Sequence, residues 1–94
     1  MPAMLRLDKD VATAVRARLR RIEGQVAGLQ RMIDGGRECA EIAQQVAAAR
    51  AALDRVAIDL ITTGLEQCVR MELNGRPQAS EALRKLRRAF LMLR

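Results

Sequence analysis

Histidine, tryptophan and tyrosine are absent from this 94-residue chain, and Phe90 is its single aromatic residue. Without histidine the usual acyl-transfer base is missing, which argues against cysteine-protease-like catalysis. No P-loop, no Rossmann glycine pattern and no strand-like alternation occurs. Prolines number two, Pro2 and Pro77, so the long middle of the chain carries no helix breaker of that kind. No apolar run approaches the roughly 20 residues of a membrane span. The opening Met1-Pro-Ala-Met-Leu-Arg-Leu lacks a signal-peptide core. A cytoplasmic protein with no membrane partner is the expectation. Cysteines are equally scarce, Cys39 and Cys68 alone. In that compartment a redox-active or ligand-binding pair is the better reading than a structural disulfide.

What is present is helical. Half the residues are hydrophobic, drawn from Leu, Ile, Val, Ala and Met, and turn residues are few. The expectation is one all-α domain over residues 1–94, built as a three-helix protomer with helices at about 9–34, 38–73 and 78–92. Residues 1–7 read as a frayed tail. Asp8 or Asp10 can cap the first helix. Val11, Val15, Leu19, Ile22, Val26, Leu29 and Ile33 keep its apolar spacing, and Gly35-Gly36 ends it. Gly24 and Gly28, four apart, suggest close approach of a neighbouring backbone. Asn74-Gly75-Arg76-Pro77 is a turn, with proline suited to the first position of the last helix. Leu83, Leu86, Phe90 and Leu93 form that helix's apolar stripe. A monomer this short has a thin core, and oligomerisation is the natural remedy.

The middle helix organises the rest. Cys39, Ile42, Val46, Ala49, Leu53, Val56 and Leu60 follow at steps of three and four, forming an apolar seam. Cys39 and Cys68 lie near its two ends, roughly 40 Å apart at about 1.5 Å per residue. They cannot meet within one chain. Two copies packed antiparallel about a twofold axis between Leu53 and Asp54 would set Cys39 opposite the partner's Cys68 at both ends. The bland alternative is that both are small hydrophobes of a bundle core.

The net charge is +6 and the sequence pI about 10.9. Such a balance favours a polyanionic partner. Arg16, Arg18, Arg20 and Arg21 crowd one and a half turns of the first helix. Arg50 and Arg55 can extend that surface from the second. A solvated face is the competing reading, and an i,i+4 pair of Arg50 with Asp54 would account for one of them. The arginine density favours phosphate contact, with nucleic acid or an anionic membrane surface as the polyanion. No helix-turn-helix signature lies between two short helices.

The two thiols permit several chemistries. Zinc wants about four ligands, and Glu38, Glu41, Glu66 and Glu72 are weak company for it. Cu(I) accepts two thiolates in linear geometry, which would make Cys39 and Cys68 its ligands. Thiol oxidation needs no third ligand. Cys39 opens its helix beside Arg37, where positive potential suits a thiolate. It is the candidate nucleophile, with Cys68 of the partner as resolving thiol.

Arg18-Leu-Arg-Arg-Ile-Glu-Gly-Gln-Val-Ala-Gly-Leu-Gln-Arg-Met-Ile33, then Cys39, Ala51-Ala-Leu-Asp-Arg55 and Cys68-Val, resemble the CsoR/RcnR family of bacterial repressors over roughly residues 15–70. The resemblance implies an antiparallel dimer, a dimer-of-dimers homotetramer, and binding to operator double-stranded DNA without a helix-turn-helix. It also implies release when an inducer reaches an intersubunit cysteine site, and it places Arg18 and Arg55 at positions the family uses for DNA. Copper sensors of the family carry a histidine four residues before the second cysteine, where this chain has Gly64. Nickel and cobalt sensors need further histidines. Formaldehyde sensors resemble the chain at Pro2 and Cys39 but usually lack the second cysteine. The remaining branch is similar to the persulfide-sensing repressors, with no cofactor. On that reading low-molecular-weight persulfides are the inducer. A Cu(I)-responsive repressor, an aldehyde or electrophile sensor, and a basic helical interaction module with inert cysteines are the alternatives.

Overall fold

The computed structural model describes residues 6–93 as three helices with no strand among them. Helix α1 spans Lys9–Asp34, α2 spans Cys39–Leu73 and α3 spans Ala79–Leu91. Asp8 caps α1: its carboxylate accepts from the Val11 amide at 2.9 Å, satisfying one of the free donors at the helix start. Glu38 and Gln78 precede α2 and α3 without a side-chain cap. The last helix therefore starts two residues after Pro77, which lies in the turn rather than at the first helical position.

The same device ends α1 and α2. Gly36 and Gly75 take φ of 70° and 66°, a left-handed backbone that glycine adopts without Cβ strain. The Arg37 amide then reaches back to Met32 at 3.0 Å and the Arg76 amide to Met71 at 2.9 Å. Both closures satisfy carbonyls that the helix leaves open.

The seam of α2 divides between two neighbours. Ala49 and Val56 are buried, and Val56 joins Val15 and Ile22 of α1 in the core, flanked by Val11 and Ala52. Val46 and Leu53 from the same seam stay about half exposed, at 50% and 48%. Periodicity marks an apolar face but not its partner, and α1 covers only one flank. Leu19, Val26 and Ile33 of the α1 stripe are exposed too.

Helix α3 folds back along the C-terminal part of α2 and has no contact with α1. Its anchor is Gly64. A Cβ built there would stand 2.8 Å from Leu86 Cδ1, so glycine is what lets Leu86 seat on the α2 backbone. The close approach expected at Gly24 and Gly28 is not found: nothing lies near Gly24, and Gly28 meets only Arg31 of its own helix. Arg6 and Leu7 are not frayed. The Arg6 carbonyl accepts from Gln67 Nε2, and both residues line a small cavity of about 190 Å³ with Leu60, Gly64 and Leu86. Pro2 and the rest of the tail lie outside the described residues.

The protomer measures 58 × 26 × 19 Å. No described side chain falls below 2% exposure. A core this thin leaves the apolar outer line of α2 with nothing to bury it.

Candidate functional site

Cys39 and Cys68 sit on one unbroken 35-residue helix, so their separation within the chain is fixed at roughly 40 Å by the helical rise. At about 100° per residue, Cys39, Val46, Gly64 and Cys68 fall on nearly the same side of α2. That side is bare at one end and covered at the other. Cys39 is exposed and Cys68 buried. The antiparallel hairpin that puts Leu86 on Gly64 sets Ala82 opposite Cys68, one turn on, and both Ala79 and Ala82 are buried. Burial pushes the Cys68 thiol above its ordinary pKa, because a thiolate loses its hydration there.

Arg37 does not stand free beside Cys39. Its Nε donates to Glu41 Oε2 at 2.8 Å, and a second guanidinium nitrogen contacts the same oxygen. Cys39 is open to solvent in the first turn of α2, and the Arg37 charge beside it is paired with Glu41. Within one protomer, no three Cys, Asp or Glu side chains among the described residues converge into a metal-holding group. Gly64, one turn before Cys68, has no side chain to offer. The strongest donors for a soft metal are the two thiols, which would suit Cu(I) if two chains bring them together.

The arginines divide as well. Arg16, Arg20, Arg21 and Arg50 are exposed and enter no ion pair among the described residues. Arg18 and Arg55 instead share one carboxylate. Asp59 Oδ2 lies 3.8 Å from Arg18 Nη2, and Asp59 Oδ1 lies 3.3 Å from Arg55 Nε. The anticipated Arg50–Asp54 pair does not form; the i,i+4 pair on this face is Arg55–Asp59. The Arg55–Asp59 spacing was available in the sequence. The reach from Arg18 depends on which flank of α2 meets α1, which the sequence does not specify.

The family profile described as metal-sensitive transcriptional repressor matches residues 12–91. The copper-sensing transcriptional repressor RicR of Mycobacterium tuberculosis is 39% identical over 77 residues, covering 81% of this chain and 80% of the relative. The copper-sensing repressor CsoR of Bacillus subtilis is 44% identical over 52 residues, 55% of this chain and 52% of the relative. Among solved structures, the nickel-responsive transcriptional regulator InrS superposes with a TM-score of 0.72 at 28% identity, over 100% of both chains. None of the described helices is long and apolar enough to cross a membrane. This three-helix chain, with a profile match over residues 12–91, belongs to the CsoR/RcnR family of metal-sensitive transcriptional repressors.

Proposed function

We propose that this repressor binds operator DNA through Arg18 and Arg55, flanked by Arg16, Arg20 and Arg21, and is released by a low-molecular-weight persulfide. The sensor is Cys39 together with Cys68 of the partner subunit, in an antiparallel dimer that pairs into a tetramer. The half-exposed Val46 and Leu53 support the dimer, because they form an apolar surface that α1 leaves uncovered.

The observation that carries the persulfide reading is position 64. The turn of α2 before Cys68 ends in a glycine seated under Leu86, so no third strong ligand accompanies the thiols. Sulfur chemistry needs none. The Cys39 thiolate attacks the outer sulfur of an organic persulfide and expels the organic thiolate, leaving a persulfide on Cys39. The partner's Cys68, once deprotonated, attacks the sulfur bonded to Cys39 Cβ and expels hydrosulfide. The net change is two thiols oxidised to a disulfide and one sulfane sulfur reduced to sulfide. A further persulfide would lengthen the bridge. Bridging the dimer's ends shifts the helices and misaligns the arginines, and about 1–3 kcal/mol of coupling is ordinary for such a switch.

A second reading is favoured by the copper-sensing names of two relatives. On this reading Cys39 and the partner's Cys68 would hold Cu(I) through their thiolates. Peptide mapping after treatment with an organic persulfide tests the first reading. It should yield a Cys39–Cys68 interchain crosslink. Crosslinks of Cys39 to Cys39 alone would reject the antiparallel geometry.

A further inference from the structure

Among the described residues, one ion-pair cluster joins two helices, and Asp59 is its centre. The other pairs, Arg37–Glu41 and Arg84–Glu81, are local along the chain. Asp59 lies nearly one turn beyond Val56 on α2, and Arg18 lies one turn beyond Val15 on α1. Val15 and Val56 belong to the same buried cluster. The carboxylate therefore stands at the rim of the α1–α2 contact, with each oxygen turned to one guanidinium.

We infer that Asp59 is a positioning residue for operator recognition, holding Arg18 and Arg55 as one preset unit. This rests on the reading that these two arginines contact DNA. A free arginine gives up much rotamer freedom when it grips a phosphate. Asp59 fixes part of that freedom beforehand. It binds Arg55 through Nε, which leaves both terminal nitrogens of that side chain for another partner. Arg55 is the more exposed of the two, with 62% of its side chain open against 36% for Arg18. The cluster keeps a net positive charge, two guanidiniums against one carboxylate. Without Asp59, two cations on neighbouring helices would repel and turn independently. A carboxylate near DNA also repels phosphates, but screening over about 8 Å limits that at physiological salt. Placement acts on the fit to one operator register, whereas repulsion acts on all DNA alike.

Asp59→Asn removes the charge at nearly constant shape. Its binding to operator and to random-sequence duplex should be measured beside wild type, Arg18→Ala/Arg55→Ala, and the triple variant, with thermal melting as a control of folding. Operator affinity should fall about fivefold in Asp59→Asn, the size that two surface ion pairs supply, while random-sequence affinity holds or rises. Asp59→Glu should recover part of the loss. In the arginine-free background Asp59→Asn should have no further effect on operator binding. Equal or tighter operator binding by Asp59→Asn, with an unchanged operator-to-random ratio, would overturn the role of Asp59 alone. Wild-type operator affinity in Arg18→Ala/Arg55→Ala would overturn the arginine assignment itself.

Discussion

The two ends of α2 carry the same side chain in opposite surroundings. At the N-terminal end, α1 takes the flank marked by Ala49 and Val56 and leaves Cys39 and Val46 in the open. At the C-terminal end, α3 lies back on the helix and covers Cys68. The sequence places both cysteines on nearly one line, so their difference is not written in the helix. It comes from where α3 stops. A 13-residue helix reaches back about 20 Å, enough to cover the Cys68 end and not the Cys39 end. The lesson is chemical: the Cys39 thiol is open to a reagent from solvent, whereas the Cys68 thiol is shielded and its pKa raised by burial.

The largest effect should come from removing each thiol separately. Cys39→Ala should repress normally and lose its inducer response, a loss of about 5–150-fold in operator affinity change if the coupling has the usual size. Cys68→Ala should still acquire a persulfide on Cys39, visible as added sulfur mass, without an interchain bridge. Equal sulfur uptake by both single variants would erase the distinction between the two ends.

Gly64→Ala probes the cover itself. The new methyl gains about 1 kcal/mol of helix propensity but must push Leu86 aside from 2.8 Å, and overpacking costs about 1–3 kcal/mol. The net should be a loss of up to about 2 kcal/mol, read by denaturant unfolding. Leu86→Ala in the same chain should relieve it. With that room, Gly64→His would add an imidazole one turn before Cys68 and should tighten Cu(I) binding relative to Leu86→Ala alone. A stabilised Gly64→Ala would mean that α3 is not seated there.

The smallest effect is on pH. The folded Cys68 thiol has its pKa raised by burial, so its contribution to stability is complete below the ordinary thiol range. As pH rises through the unfolded thiol's value, the unfolded chain releases its proton first and stability declines. The decline stops above the raised folded value. Cys68→Ala should lessen that alkaline fall. Melting curves between neutral and alkaline pH with identical slopes in both proteins would place Cys68 in water.

Helix positions could be read from the chain because caps and turns are local. Asp8, Gly35-Gly36 and Asn74-Gly75 act within a few residues of themselves, and α1 begins and ends where they indicate. Contacts across the fold could not be read the same way. The seven-residue seam of α2 looked like one surface, yet α1 takes Ala49 and Val56 and leaves Val46 and Leu53 bare. Glycine spacing drew attention to Gly24 and Gly28, while the glycine under a neighbouring helix is Gly64. The reach of Asp59 to Arg18 is not legible in the chain, because it depends on which flank of α2 meets α1. The two thiols were evident from their scarcity, and their unequal burial was not.

The central claim is that sulfur transfer between unequal thiols, rather than metal binding, frees the operator. It is tested most directly by exposing the operator complex in parallel to an organic persulfide and to Cu(I) buffered at tight, physiological levels, with DNA release followed by fluorescence anisotropy. The account predicts release by persulfide, accompanied by the mass of an interchain sulfur bridge, and retention of DNA under buffered Cu(I). Release by buffered Cu(I) with none by persulfide would contradict it.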